Sequence, residues 1–366
     1  MGGDFSGCLI MSGGKQANAI EPVGPVSMAQ LATMLNLSHA TVSFVLNGHG
    51  DRHKISVKTQ QRVREAAERY HCVPNQQARN LRMRRSGMIG VVLPTLTMDW
   101  AAALMRGLNR VLDPTDHVPF VTAHEFDAAR NRKELLSALY RRDDGLIAFP
   151  LPDSADLYHS IQRAGVRLVL LGEEMPGMED ISTVLWDSAA AAEAVMLHLV
   201  ASGRRRIAFL GMDYPGQGTL HRLKAYGTVL RENGLELRKE WIARLQVPLP
   251  PGGMEQVLRQ WFPEGDRQNS PDAIFALNDA MALPAMQYLL DWGIAVPGEV
   301  AVAGIQDLPL SGHPAISLTT VPEPVEAMGE AAARLMLDLI SGKAKAPVRR
   351  VIPSPPLIVR RSTADR

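Results

Sequence analysis

The sequence is poor in the features that mark secreted and membrane-spanning proteins. Its 366 residues include two cysteines, Cys8 and Cys72, which are too few for a disulfide framework and are typical of a reducing cytoplasm. No run of 18 apolar residues occurs, so we expect no transmembrane helix. The N-terminus has only a short apolar run at residues 9–11 and no basic stretch before it, so we expect no secretory leader. These absences favour a cytoplasmic location.

The motifs of several large enzyme classes are also missing. The sequence contains no Gly-rich phosphate loop, no serine nucleophile elbow and no HExxH pair. Its ten histidines are scattered, and none lies with cysteines or acids at the spacing of metal ligands. We therefore expect no enzymatic activity, no metal site and no cofactor.

Charge is unevenly distributed, although the whole chain carries a net charge of only +1. Residues 23–86 contain ten Lys or Arg and three Asp or Glu, a net charge of +7, whereas residues 87–366 have a net charge of −5. A basic module on a mildly acidic body indicates that a polyanion binds at one end. Residues 1–24 are rich in glycine, serine and polar groups and are predicted to be a disordered tail.

Residues 26–47 have the pattern of two short helices joined by a tight turn. Ser27 and Gln30 form a predicted capping box at the start of the first helix. Asn36 follows that helix, and asparagine tolerates the left-handed conformation that a tight turn needs. Ser38 then caps the second helix, whose first residues would meet base edges if the pair is a DNA-binding helix-turn-helix. An ordinary helical hairpin has the same pattern, so this stretch alone leaves both interpretations open.

A third helix is predicted from Ser56 to the residues before Pro74, and a basic segment follows it. Within that segment Leu81 is surrounded by arginines, namely Arg79, Arg82, Arg84 and Arg85. On DNA, such arginines would meet phosphates while the leucine wedges a base step from the minor groove. A basic interdomain linker explains the composition equally well.

From residue 87 onward, apolar runs alternate with amphipathic segments of helix length. Strands are predicted at residues 88–94, 118–123, 145–150, 166–172, 182–186, 206–211, 273–278, 300–305 and 357–361. Helices are predicted at residues 100–112, 130–141, 188–202, 218–234, 253–261, 280–293 and 324–341. This alternation indicates an α/β fold of doubly wound parallel sheets, most simply in two similar lobes. Ligands bind such sheets at the carboxyl ends of the strands, and two lobes offer a cleft for a small molecule.

These parts, in this order, resemble the LacI/GalR family of bacterial transcriptional regulators from Val26 to about Thr363. The resemblance rests on LSHATVSFVLNG, ISVKTQQRVREAAERYHCVPN, NQQARNL, VASGRRRIAFLG, AIFALNDAMALPAM and GIAVPGEVAVAGIQD. It implies a helix-turn-helix DNA-binding domain of three helices at residues 25–74 and a hinge helix with its linker at residues 75–86. It also implies a two-lobed core like a periplasmic binding protein at residues 87–366.

The resemblance further implies how such a protein acts. A homodimer paired through the core would read a near-palindromic operator in double-stranded DNA, most often as a repressor, with no membrane partner. A small-molecule effector, by family habit a carbohydrate or a derivative, would bind between the lobes and control operator affinity. The alternative is a solute-binding protein that uses the same two-lobed core without a DNA role.

The resemblance assigns DNA contacts residue by residue. His39 and Ala40 match the base-reading positions, and Phe44 stands where many members have an arginine that binds guanine. Short polar side chains match phosphate-contact positions: Ser38, Thr41, Ser43, Asn47, Ser56 and Thr59. The hinge positions are matched by Asn75, Ala78 and Leu81, and Ser27 and Arg82 complete the predicted DNA-binding set.

The effector contacts are assigned in the same way. Arg222 matches the arginine that often clasps the effector through its fork of donors, although a surface arginine at a helix start is the alternative. Asn278 follows a strand in the family's Asn-Asp motif, and Gln306 stands where most members have an aspartate. Because glutamine is neutral and both donates and accepts, sugars, sugar acids, amides and nucleosides all remain open as ligands. Trp100 could stack on a ligand or pack a helix, and Pro150 ends a strand at the same cleft.

Overall fold

The computed structural model describes residues 26–72, 86–97, 99–152, 154–213, 217–246, 250–265 and 267–364. The chain divides into two compact units, Met1–Arg84 and Arg85–Arg366. The predicted tail lies outside the described residues, and so do four of the predicted DNA contacts, namely Asn75, Ala78, Leu81 and Arg82.

The first unit contains three helices, which we call α1 (Met28–Leu35), α2 (His39–Leu46) and α3 (Val57–Arg69). The predicted capping box is confirmed: the Gln30 backbone N–H donates to Ser27 Oγ at 3.3 Å, and the Ser27 backbone N–H donates to Gln30 Oε1 at 3.0 Å. Asn36 has φ 52° and ψ 48°, the left-handed conformation that the tight turn between α1 and α2 requires. Local hydrogen bonds therefore fix where α1 begins and ends.

One small apolar cluster holds these helices together. Leu31, Val42 and Val63 are fully buried, one from each helix, and the remaining buried members are Val26, Ala32, Val45, Ala67 and Cys72. Each helix turns one apolar stripe inward, as amphipathic helices of a small bundle do. The opposite faces remain available for a partner.

The second unit contains two lobes, each with one parallel sheet. The first lobe has the strand order β11-β5-β4-β3-β1-β2, with β1 Met88–Leu93, β2 Val118–Ala123, β3 Gly145–Ala148, β4 Arg167–Leu171, β5 Ser182–Trp186 and β11 Arg349–Ile352. Its helices are α4 Asp99–Leu112, α5 Ala128–Arg141, α6 Ala155–Arg163 and α11 Val325–Ser341.

The second lobe has the strand order β10-β9-β8-β6-β7, with β6 Ile207–Met212, β7 Ile242–Leu245, β8 Ala273–Ala276, β9 Ala301–Gln306 and β10 Thr319–Pro322. Its helices are α7 Ser188–Ala201, α8 Gln217–Glu232, α9 Gly253–Trp261 and α10 Asp279–Asp291. Central strands such as β3 and β8 are buried at every residue, as strands covered by helices on both faces must be. The predicted doubly wound α/β architecture is confirmed.

The chain passes between the lobes three times. It leaves the first lobe after β5, returns through Glu323 and Pro324 into α11, and crosses again after β11. The last crossing brings the C-terminal segment onto the second lobe, where the Val302 N–H donates to the Ser362 carbonyl at 2.9 Å. Three crossings place the lobes side by side with a cleft between their strand ends.

One predicted strand, residues 357–361, is wrong. The edge strand beside β5 in the first sheet is β11, and the predicted segment makes a single antiparallel bridge between Ile358 and Thr320. Two neighbouring prolines, Pro355 and Pro356, lack backbone donors. Side chains also take the place of a strand partner, because Thr319 Oγ1 accepts from the Arg360 N–H at 2.8 Å. The apolar run at residues 357–361 was therefore wrongly predicted to be a strand.

Three strands and one helix were absent from the prediction, and one of these strands, β11 with the sequence RRVI, is an edge of the first sheet. The strands β7 and β10 are the two edges of the second sheet, and their sequences IARL and TTVP mix polar with apolar residues. An edge strand has a neighbour on one side only, so its sequence need not be continuously apolar. The short helix α6 was also overlooked. No helix of the described residues is both long and apolar enough to cross a membrane.

Candidate DNA-reading face and interlobe cleft

The exposed start of α2 holds the predicted base-reading residues. Ser38 Oγ accepts from the Thr41 N–H at 3.0 Å and caps the helix. His39 and Ala40 follow in the first turn and are exposed, while Val42 and Val45 are buried. The structure therefore places His39 and Ala40 on the surface where a reading helix presents side chains to the major groove.

Phe44 does not stand alone on this surface. Its ring stacks on the imidazole of His53, with centroids 3.5 Å apart and planes 10° from parallel. His53 lies in the loop after α2, next to Arg52 and Lys54, and the sequence prediction did not include it. One face of the Phe44 ring is covered by the stack, so an apolar base contact by Phe44 would use its edge or its other face.

The candidate phosphate-contacting side chains also serve the helix ends. Asn47 Nδ2 donates to the Ser43 carbonyl at 2.7 Å, and Ser56 Oγ caps α3 by accepting from the Thr59 N–H at 3.2 Å. Ser27 has the same role at α1. These hydroxyls keep further lone pairs or hydrogens after capping, so a second partner is compatible with the observed bonds.

Trp100 and Gln306, predicted to contact an effector, converge on a third side chain. Trp100 Nε1 at the start of α4 donates to Glu323 Oε1 at 3.4 Å, and Gln306 Nε2 at the end of β9 donates to Glu323 Oε2 at 3.4 Å. Glu323 lies on the crossover before α11, so one carboxylate connects the two lobes. The sequence prediction did not include Glu323.

Trp100 lies beside further aromatic and apolar groups at this edge. The Phe149 ring meets Trp100 edge to face, with centroids 6.1 Å apart, and Pro150 follows it, buried, at the end of β3. The indole of Trp100 therefore packs and also donates a hydrogen bond across the cleft. The packing role of Trp100 is observed, and its stacking on a ligand stays a prediction.

Arg222 on α8 is not a surface arginine. Its Nη1 donates to the Leu277 carbonyl at 2.8 Å, and its Cζ lies 5.3 Å from the centroid of the Trp186 ring. Its Nε is buried and has no hydrogen-bond partner among the described residues. Burial lowers the pKa of Arg222, while the carboxylates of Glu323 and Glu173 act in the opposite direction. A half-buried guanidinium with a free donor is well placed to bind a ligand.

A second acidic side chain, Glu173, completes this charged group. It follows β4, and its Oε2 accepts from the Gly218 N–H at 2.7 Å at the start of α8. A Cβ at Gly218 would lie 2.9 Å from Glu173 Oε1, so glycine allows this approach. Burial raises the pKa of Glu173 to about 7, against the Gly218 hydrogen bond and Arg222, which lower it. Burial also raises the pKa of Glu323, again opposed by Arg222.

Asn278 and its neighbour Asp279 have different roles. Asn278 caps α10 through Oδ1, which accepts from the Met281 N–H at 3.0 Å. Asp279 is fully buried and accepts from Ser311 Oγ at 2.6 Å and Thr320 Oγ1 at 2.7 Å. Asp279 is thus occupied in joining α10 to the loop after β9 and to β10. Asn278 Nδ2 donates to Met212 Sδ at 3.7 Å, which leaves its second N–H for a ligand.

Gln306 has a strained backbone. Its φ is 134° and that of Asp307 is 56°, values that side chains other than glycine rarely adopt. Asp307 is held by Arg360 Nη2 at 2.7 Å. The strained pair lies where β9 ends at the cleft, a position at which strained residues often bind ligands.

The Glu173 carboxyl predicts a pH dependence of stability. Its pKa in the folded protein, about 7, exceeds the ordinary value of 4.5, so the folded state retains this proton between those pH values. The stabilisation from this group is full below about pH 4.5 and is lost as pH rises through 7. Wild type should therefore lose stability relative to Glu173→Gln between pH 5 and pH 8.

This prediction can be checked by urea unfolding of both proteins at four pH values. Tryptophan fluorescence reports the second unit alone, because all five tryptophans lie in it. Glu179→Gln is the control, since backbone hydrogen bonds lower the pKa of that exposed carboxyl and its pH effect has the opposite sign. A difference between wild type and Glu173→Gln that stays constant with pH would contradict the prediction.

Known proteins resemble both units of the chain. Residues 196–363 match the periplasmic binding protein-like domain family. The HTH-type transcriptional regulator DegA of Bacillus subtilis is 28% identical over 339 residues, covering 91% of this chain and 97% of that protein. The HTH-type transcriptional regulator GalR of Salmonella typhimurium is 28% identical over 340 residues, covering 92% and 96% respectively.

Two solved structures cover nearly the whole chain. The lac repressor dimer bound to operator and the anti-inducer ONPF superposes with a TM-score of 0.80 at 23% identity, over 93% of this chain and 100% of that one. The complex of the transcriptional regulator CelR with cellobiose gives a TM-score of 0.68 at 25% identity, over 92% and 99%. With three helices in its first unit and a two-lobed second unit, the chain is similar over nearly its whole length to HTH-type transcriptional regulators of the LacI/GalR kind.

Proposed function

We propose that this protein is a transcriptional repressor whose operator affinity is controlled by a carbohydrate-like molecule bound between the two lobes of its core. The observation that carries the proposal is the convergence of Trp100 from one lobe and Gln306 from the other on Glu323, at a crossover between the lobes. A ligand at this point touches both lobes. Its affinity therefore differs between two arrangements of the lobes, which is what coupling to a second site requires.

The DNA-binding part of the proposal rests on the first unit. Residues 25–74 would bind the major groove, and residues 75–86 would form a hinge whose Leu81 wedges the minor groove. His39 can donate or accept at a base edge, and Ala40 can contact a thymine methyl. Because this face has few strong hydrogen-bonding groups, specificity would also depend on the energy of bending the operator. A homodimer paired through the core would read a near-palindromic site in the cytoplasm.

Relatives support the effector class. CelR was solved with cellobiose, and the lac repressor was solved with operator and ONPF. The candidate cleft of this chain has aromatic rings at Trp100, Phe149 and Trp186 and donors at Arg222 and Asn278. Rings for sugar faces and fixed polar groups for hydroxyls are what a carbohydrate site needs. An exported solute-binding protein would share this core, but the +7 segment before it would have no role.

The experiment begins with selection of operator sequences from random duplex DNA by the full-length protein. Sugars are then screened by thermal shift, and the strongest is tested for its effect on operator affinity. We expect Arg222→Ala to lower the affinity for that sugar at least tenfold, because the variant lacks a charged hydrogen-bond donor. Arg231→Ala, an exposed arginine on the same helix, should bind the sugar like wild type.

Two results would count against the proposal. The first is the absence of sequence-specific DNA binding with a steep salt dependence. The second is a sugar that binds equally well to Arg222→Ala. Operator binding that no cleft ligand alters would restrict the function to constitutive DNA binding. Retention of operator binding after deletion of residues 1–85 would remove the head from the mechanism.

A further inference from the structure

The charges at the cleft point to the chemical class of the effector. We infer that it is a carbohydrate derivative carrying a protonated amine, bound by Glu173 and Glu323, rather than a sugar acid. This inference rests on the proposed function, namely that the cleft between the lobes holds the effector. It selects one ligand class among the several that the neutral Gln306 allows.

The carboxylates of Glu323 and Glu173 act electrostatically on the Arg222 guanidinium, and so does that of Asp279, which already accepts from Ser311 and Thr320. Glu173 comes from the first lobe, Glu323 from the crossover and Arg222 from the second lobe, giving a formal charge of −1 when all three are ionised. No ion pair among the described residues joins Arg222 to either acid. Its Nη1 donates to the Leu277 carbonyl, and its guanidinium lies over Trp186. The acids are therefore near a cation without being neutralised by a direct contact.

The existing partners of the acids are weak or single. Among the described residues, Glu173 accepts one hydrogen bond, from the Gly218 N–H at 2.7 Å. Glu323 accepts two from neutral donors, both at 3.4 Å, the long end of the range. Ionised carboxylates accept up to about four hydrogen bonds. Both groups therefore have unused capacity, which an ammonium group with three donors would satisfy through strong charge-assisted bonds.

The surrounding rings favour the same charge. Trp100, whose Nε1 donates to Glu323, packs edge to face against Phe149, and the Trp186 ring lies under the Arg222 guanidinium. Aromatic faces attract cations and stack on the C–H faces of sugars. A ligand carboxylate would gain from Arg222 but would lie among two existing carboxylates in a half-buried site.

Ionisation of the acids gives the inference a second readout. Burial raises the pKa of both carboxyls and Arg222 lowers it, while the carboxylates of Glu323 and Glu174 raise the pKa of Glu173 further. A bound cation favours the ionised form, so binding of an amine should release protons near neutral pH. Binding of a sugar acid should instead take protons up.

The test uses full-length protein and two sets of hexoses that differ only at C6. One set is 6-amino-6-deoxyglucose, glucose and glucuronate, and the other is the matching galactose series. At pH 8, isothermal titration should give at least tenfold tighter binding for the amine than for the carboxylate of the better set. Glu323→Gln and Glu173→Gln should each lower the affinity for the amine about tenfold, which is about 1.4 kcal/mol. Glu232→Gln, an exposed acid on α8, is the control.

Each outcome decides the inference. It is supported if the amine binds tightest and the two variants remove that preference. It is overturned if the carboxylate binds tightest, if the preference survives in the double variant, or if no member of either set binds. If a neutral sugar binds as well as the amine and alters operator affinity, the inference fails while the proposed function stands. Loss of specific DNA binding, measured separately, would be a failure of the proposed function alone.

Discussion

Replacement of Leu31 by alanine is expected to lower operator affinity more than a hundredfold while leaving ligand binding by the core unchanged. Leu31 is fully buried in the first unit, against Val42 and Val63. Removing a buried leucine side chain costs about 2–5 kcal/mol. A single small core rarely contributes more than about 3–5 kcal/mol of folding stability in a domain of this size. In most molecules of the variant, the first unit would therefore be unfolded.

The measurement is fluorescence anisotropy on the selected operator, with far-UV circular dichroism for the helices. The tryptophan unfolding transition, which reports the second unit, should match that of wild type. Met34→Ala is the matched control: it truncates a similar side chain on the same helix, but Met34 is 41% exposed. It should cost less than about 1 kcal/mol. Operator binding by Leu31→Ala within threefold of wild type would show that the small core is not what holds the reading helix.

Features that depend on residues close in the sequence could be predicted from the sequence. The two residues of the Ser27–Gln30 capping box are three positions apart, and the left-handed conformation of Asn36 is required by the turn that directly follows α1. Central strands such as β3 and β8 could be predicted because burial on both faces demands an unbroken apolar run. In each case one short stretch contains all the information.

Features that depend on residues far apart in the sequence could not be predicted from it. Trp100 and Glu323 are 223 positions apart, and Glu173 and Gly218 are 45 apart. Glu323 lies between two prolines, and Glu173 lies in a short acidic loop, so each has the sequence context of a surface residue. The stack of His53 on Phe44 likewise depends on how one loop folds back. The effector assignments of Arg222 and Asn278 came from resemblance, since neither has a local signal.

Gly107→Ala is expected to destabilise the second unit by about 3 kcal/mol, because two helix backbones meet at this glycine. A Cβ at Gly107 on α4 would overlap the Glu326 carbonyl of α11 and lie 3.0 Å from the Glu330 backbone N. Gly329 on α11 faces the Leu104 carbonyl in the same way, so neither helix can yield locally. Arg110 pairs with both Glu326 and Glu330 across the same contact. The helices must therefore separate to admit a methyl group.

Tryptophan-monitored unfolding should show this as a fall in Tm of about 6–12 °C, from roughly 2–4 °C per kcal/mol for a unit of this size. Gly227→Ala is the matched control. That glycine is also within a helix, but its Cβ would meet only the flexible end of Leu237 at 3.2 Å, and alanine favours helix by about 1 kcal/mol. Equal stability of the two variants would contradict the close packing. Because α11 begins two residues after Glu323, separation of the helices should also lower the affinity for the cleft ligand. This effect would connect the packing of the first lobe to the proposed effector site.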